Sequence, residues 1–286
     1  MNADIVQVAQ RGEPAKELVP VWRINTASLF YHLLSLLPEK DAFLDVGSLD
    51  GREAFAVEER FPKVAPIAFE PNPRNIAVIE DEQQKRHSRI MLETYAIGNE
   101  NSTVSFYTRN PRESDNFGAS SILKFSETDH DTQFDTTRIE VPLRRLDTLE
   151  LLAPYTHLAL WIDVEGAGYQ VLEGIAAIAQ KVQLVHIEVE TRQLFEGQRL
   201  ANDIITLMRG YGMLLVGSNL DAQMRKAQGD LVFLREDVLD TRVVKQATTQ
   251  AWLIEHIAMQ RFLRKVVPLS LYQKGRNWFV RTIAAR

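Results

Sequence analysis

The chain of 286 residues contains no cysteine. Disulfides and thiolate metal centres are excluded, and a reducing compartment is the expected setting. No stretch approaches the ~20 apolar residues that a membrane-crossing helix needs. Residues 1–14 are polar and lack the apolar core of a secretory signal. The expectation is a cytoplasmic protein, soluble or peripheral at a membrane. Positive charge is scarce over most of the sequence. Residues 242–286 hold nine Lys or Arg against the single Glu255, so the first 241 residues carry a net −13 within an overall −5. A body so acidic argues against nucleic acid as a partner.

The remaining composition is that of a globular protein, with 45% apolar and 25% charged residues. The length suits one α/β domain with additions. The most informative stretch is Phe43 to Gly51. Ala42 to Val46 is a short continuous apolar run broken by Asp45, of the kind a parallel sheet buries on both faces. Gly47 and Gly51 bracket a turn, and an amphipathic run (Ala54, Phe55, Val57, Phe61) follows. A helix start after a glycine turn offers backbone N–H groups to a nucleotide-like ligand. A second strand, Pro66 to Phe69, ends in Glu70, at an offset where an acid can accept both hydroxyls of a ribose. Together these predict a site for an adenosine-containing cofactor.

Strands are expected near 90–95, 103–108, 138–143, 158–162, 182–189, 212–216 and 231–234, and helices alternate with several of them. Ala96 to Asn101 is read as a turn. The link from Val216 to Leu231 is short and rich in turn residues, too poor in helical pattern for a parallel crossover. The last two strands are therefore expected to form an antiparallel hairpin. Residues 110–136 form a polar insertion, longer than an ordinary connection and expected to act as a lid.

With these pieces placed, the chain resembles the FkbM family of S-adenosylmethionine-dependent methyltransferases. The resemblance rests on Asp45-Val46-Gly47 with Gly51, Phe69-Glu70-Pro71-Asn72-Pro73, Ala96-Ile97-Gly98, Gly118-Ala119-Ser120-Ser121, Leu146-Asp147-Thr148-Leu149 and Ile162-Asp163-Val164-Glu165-Gly166-Ala167. Ile187-Glu188 also matches. Trp161 stands where the family often has Lys, and Gly168 where it often has an acid. The resemblance implies an α/β, Rossmann-like class I methyltransferase fold, with a mostly parallel seven-stranded sheet and a terminal antiparallel hairpin. With the pattern of the flanking segments, the chain divides into an N-terminal arm and helix over 1–40, a methyltransferase domain over 41–236 and a basic amphipathic helical tail over 237–286.

The resemblance also implies the chemistry. S-adenosyl-L-methionine is the expected cofactor, bound by Asp45, Gly47, Ser48, Gly51, Glu70, Pro71, Ala96, Ile97 and Asp163. The expected acceptor is a hydroxyl on a sugar, glycan, lipid or polyketide-like molecule. A neutral hydroxyl is a poor nucleophile, so a base is expected. Asp163, Glu165 and Glu188, at neighbouring strand ends, are the candidates. The same acids can cap the helix beginning near Ala167, or hold a divalent ion through oxygen; no metal is assigned. The competing reading is a scaffold that kept the fold and lost catalysis, to which Trp161 and Gly168 lend support. His186 is read as a core histidine and His130 as a solvated loop residue. Asp147 is read as a helix cap. The tail shows an amphipathic pattern, with Trp252, Met259, Phe262 and Leu263 opposite Arg261, Arg264 and Lys265. It is expected to pack on the body or a second copy, or to touch an anionic membrane surface.

Overall fold

The computed structural model describes residues 24–109, 120–126, 136–220 and 227–266, with side chains to residue 256. Most of the insertion, including His130, and the end of the tail lie outside the described residues. Among the described residues, ten strands and six α-helices follow in chain order: α1 (Thr26–Leu36), β1 (Ala42–Val46), α2 (Arg52–Arg60), β2 (Ala65–Phe69), α3 (Pro73–Arg86), β3 (Met91–Glu93), β4 (Ala96–Ile97), β5 (Ser102–Arg109), β6 (Thr136–Arg144), β7 (Leu158–Ile162), α4 (Gly168–Glu173), β8 (Val182–Glu190), α5 (Ala201–Gly210), β9 (Met213–Ser218), β10 (Gln228–Arg235) and α6 (Thr241–Val266).

Seven strands make one sheet in the order β3-β2-β1-β7-β8-β10-β9. All neighbours are parallel except β10, which is antiparallel to both β8 and β9. The expected terminal hairpin is present, and this is the class I methyltransferase order. The strands are apolar throughout because both faces are covered. Along β1, Ala42, Leu44 and Val46 join one core with α4 and α5, while Phe43 joins a second core with α1, α2 and α6. Asp45 points to that second side.

Two observations depart from the sequence reading, and the packing of the tail agrees with it. Ala96-Ile97 is not a turn. It is strand β4, parallel to β6, in a second sheet ordered β4-β6-β5. This sheet has its own small core of Ala96, Phe106, Val141 and Leu143. Asp147 is a cap, but not of the short helix it opens. It accepts from Ala177 N–H at 3.1 Å, at the start of the 3-10 helix Ala176–Lys181, and pairs with Arg145 at 2.6 Å. The first half of α6 lies on the body, with Val244, Ala247 and Ala251 buried beside α1. No helix among the described residues is long and apolar enough to cross a membrane.

Candidate active site

The C-terminal ends of β1, β2 and β7 meet at one cleft, the edge where open α/β sheets bind their ligands. The loop after β1 forms its floor. Gly47 and Ser48 donate their N–H groups to Phe69 O, stitching the loop to β2. Gly47 adopts φ +82, and a Cβ there would lie 1.9 Å from the Asp163 carbonyl oxygen. Only glycine lets the loop pass the end of β7 so closely. Leu49 is also left-handed, at φ 55, and the turn presents its N–H to Glu70 Oε2 at 2.8 Å.

Glu70 holds one wall. Its Oε1 accepts from Asn72 N–H at 2.9 Å, and the Asn75 side chain adds a further bond. The residue is only 4% exposed, and burial raises its carboxyl to about 7 against those bonds. Pro71, Ala96, Ile97, Phe69, Tyr95 and Phe106 continue the wall. This surface is apolar and partly aromatic, suited to a heterocyclic base. Ser120 and Ile122 reach the cleft from the insertion's described part. Neighbouring Ser121 donates to Glu165 O at 2.7 Å, tying that segment to the loop after β7.

Asp163 follows β7, on the other flank of β1 from Glu70. Oxygens of Asp163, Glu165 and Glu188 all fall within 4.8 Å of one another. Asp163 is exposed at the cleft mouth, yet the atoms around its carboxylate raise its pKa, with repulsion from Asp230 adding to burial. Glu188 is raised further, by burial first and then by Asp163, Glu165 and Glu190. Asp163 and Glu188 stand close to one another, and the charge on Asp163 is one cause of the raised Glu188 carboxyl. Glu165 sits in the left-handed region at φ 48 and accepts from Gln228 Nε2 at 3.3 Å. Glu190, 1% exposed, completes the acidic group, with its carboxyl raised by burial to about 7.

The predicted residues therefore divide. Gly47, Glu70, Pro71, Ala96, Ile97 and Asp163 line one cleft, and Glu165 and Glu188 stand just beyond Asp163. Asp45, Ser48 and Gly51 do not line it. Asp45 Oδ2 accepts from Ser48 Oγ at 2.6 Å and from Ala54 N–H at 3.2 Å, so this acid braces the turn and the start of α2. Burial, the first cause, raises its carboxyl to about 7. Gly51, at φ +76, is the N-cap of α2. Both departures from the family pattern also lie off the cleft. Trp161 points under α1, stacked on His186 at 3.6 Å and on Tyr31. Gly168 is small because a Cβ there would meet Ile187 at 2.9 Å. His186 is the buried residue expected, though its Nδ1 has no hydrogen-bond partner among the described residues. Sequence reading missed Asn75, Asp230 and Glu190. Asn75 was detectable as a polar residue on the inward face of α3.

Comparison with known proteins bears on this geometry. Residues 45–215 match the profile of the family described as the methyltransferase FkbM domain. A relative, the 2-O-methyltransferase NoeI of Sinorhizobium fredii (strain NBRC 101917 / NGR234), is 28% identical over 201 residues, spanning 67% of this chain and 82% of its own length. Among solved structures, WbdD in complex with the kinase inhibitor LY294002 is 9% identical with a TM-score of 0.39. The match covers 73% of this chain and 39% of WbdD, so the chain spans about two fifths of that protein. The precorrin-6y C5,15-methyltransferase of Geobacter metallireducens GS-15 is 12% identical with a TM-score of 0.37, over 78% of this chain and 93% of that one. The family match covers most of the sheet and every cleft-lining residue named in the walls above, and the chain belongs to the FkbM methyltransferase family.

Proposed function

We propose that the protein transfers the methyl group of S-adenosylmethionine to a hydroxyl oxygen, with Asp163 as the base. The observation that carries this is the placement of Glu70 and Asp163 in one cleft, at the ends of the two strands that flank β1 and its Gly47 loop. Adenosine fits the wall of Phe69, Tyr95, Ala96, Ile97 and Phe106, with Glu70 turned to the ribose. The methionine end then runs past Gly47 toward Asp163. Methyl transfer from a sulfonium is an in-line displacement in which the protein supplies position and electrostatics. As the acceptor oxygen takes the methyl, its proton passes to Asp163 and on to solvent. A relative bearing the name 2-O-methyltransferase supports oxygen as the receiving atom. The scaffold reading loses its two supports, because Trp161 and Gly168 shape the sheet's covering and not the cleft.

Two measurements test the proposal. Calorimetric titration with S-adenosylhomocysteine is expected to show stoichiometric binding. Mass spectrometry of candidate acceptors is expected to show a methyl gain of about 14 Da that needs an ionisable residue 163. Asp163→Asn should lower turnover by at least about a hundredfold, the usual worth of a positioned base, with the product affinity kept. Full activity in that variant would remove Asp163 from the base role, and absence of product binding would remove the enzyme reading.

A further inference from the structure

Beside the cleft lies a second, open hollow. Glu188 is in its wall, while its close neighbour Asp163 is in the wall of the first. The two hollows therefore meet at the carboxylate pair. The second is built by elements outside the first. Asn25 and Thr26 come from the start of α1, Asn219 from the end of β9, Asp230 from β10 and Glu255 from α6. The segment before α1 is fixed in place: Ile24 N–H donates to Ser218 O at 3.1 Å, and a Cβ on Gly217 would strike Ile24 and Leu29. Asp230 is fixed too, with Oδ2 accepting from Thr26 Oγ1 at 3.3 Å and from the Asn219 amide.

We infer that this recess receives the acceptor, and that its lining selects an uncharged, hydroxyl-rich unit such as a glycosyl residue. The inference rests on the donor occupying the first cleft. Carboxylates and amides pair with hydroxyl groups, as acceptors and as mixed donor-acceptors respectively. Among the described lining residues there is no aromatic side chain, and Ile24 is the one large aliphatic. A lipid chain or a polyketide would find little apolar surface to bury. None of those described residues is basic, and Asp230 and Glu255 set a negative field against anionic acceptors. The α1 start and α6 thus act as specificity elements.

Saturation-transfer NMR on the full chain saturated with S-adenosylhomocysteine tests this. The probes are a neutral trisaccharide, its uronate counterpart and a short-chain alkyl alcohol. The neutral sugar is expected to give the strongest transfer, at least about fivefold above either alternative. Asp230→Asn and, independently, the surface change Glu255→Ala should each reduce that signal by half or more. Equal or stronger transfer to the uronate or the alcohol overturns the inference. So does no transfer to the neutral sugar, or a signal that neither substitution changes. Titration of S-adenosylhomocysteine into the same samples reports separately on the donor cleft, so loss of product binding sinks the functional proposal and not the recess alone.

Discussion

Glu70 shows how one side chain can be structural and ligand-facing at once. Its two oxygens accept from Leu49 and Asn72, which pins the glycine loop to the start of α3. Each carboxylate oxygen has a second lone-pair site, and the residue still lines the cleft. Ribose hydroxyls can therefore bond to a group whose geometry is already fixed. A hydrogen bond to a charged acceptor contributes about 1.5–3 kcal/mol, or roughly ten- to a hundredfold in affinity. Glu70→Gln is expected to weaken S-adenosylhomocysteine by that range in a calorimetric titration, because its NH2 group must face a backbone N–H. Unchanged affinity in a folded variant would take Glu70 out of the donor site. Asp45 is the contrast. The sequence showed an acid in a buried strand beside a glycine turn, which reads equally as ligand or as brace. What decides is that Ser48 and Ala54 N–H meet the same oxygen, and that depends on how the turn closes.

The glycine loop is where local sequence and long-range packing meet. Gly47 and Gly51 are both left-handed, at φ +82 and +76, and an L-residue there costs about 1–2 kcal/mol. Their surroundings differ. A Cβ on Gly47 meets the backbone oxygen of Asp163, while one on Gly51 meets the Phe55 ring at 2.7 Å, which can rotate away. Gly47→Ala is therefore expected to lower the melting temperature more than Gly51→Ala, and to abolish product binding by shifting the end of β7. The reverse order in a thermal melt would show that the approach to Asp163 is not what demands glycine. At this scale much was legible beforehand. Continuous apolar runs marked the buried strands, and the short link before β10 marked the antiparallel pair. The second sheet was not legible. β4 is two residues long, and β5 meets β6 in pairs such as Val104 with Val141, across the whole insertion. No local pattern encodes a partner so distant. Packing of the tail on the body was expected, but its place beside α1 was hidden for the same reason, since the two helices lie at opposite ends of the chain.

Across the whole molecule, the site concentrates buried acid. Asp45, Glu70 and Glu190 each have carboxyls raised to about 7, chiefly by burial. In the unfolded chain such groups ionise near pH 4. Between about pH 4 and pH 7 the folded protein therefore holds protons that the unfolded chain has released, and this stabilisation is lost as pH rises through the folded value. His186 acts the other way. Burial lowers it to about 3, so it makes stability rise with pH up to about 6.5 and is neutral in both states above that. The depressed carboxyls of Asp41 and Asp147 are ionised in both states well below this range. Between pH 6 and 8 the raised acids thus dominate, each withdrawing about 1 kcal/mol. The negative body adds self-repulsion in the same direction. The ligand-free protein is expected to melt on the order of 5 °C lower at pH 8 than at pH 6, with a shallower slope in Asp45→Asn, which cannot ionise. A melting temperature that holds level or rises over this interval would show that these carboxyls enter the fold already charged. The donor site would then not be held near neutrality by the burial that surrounds it.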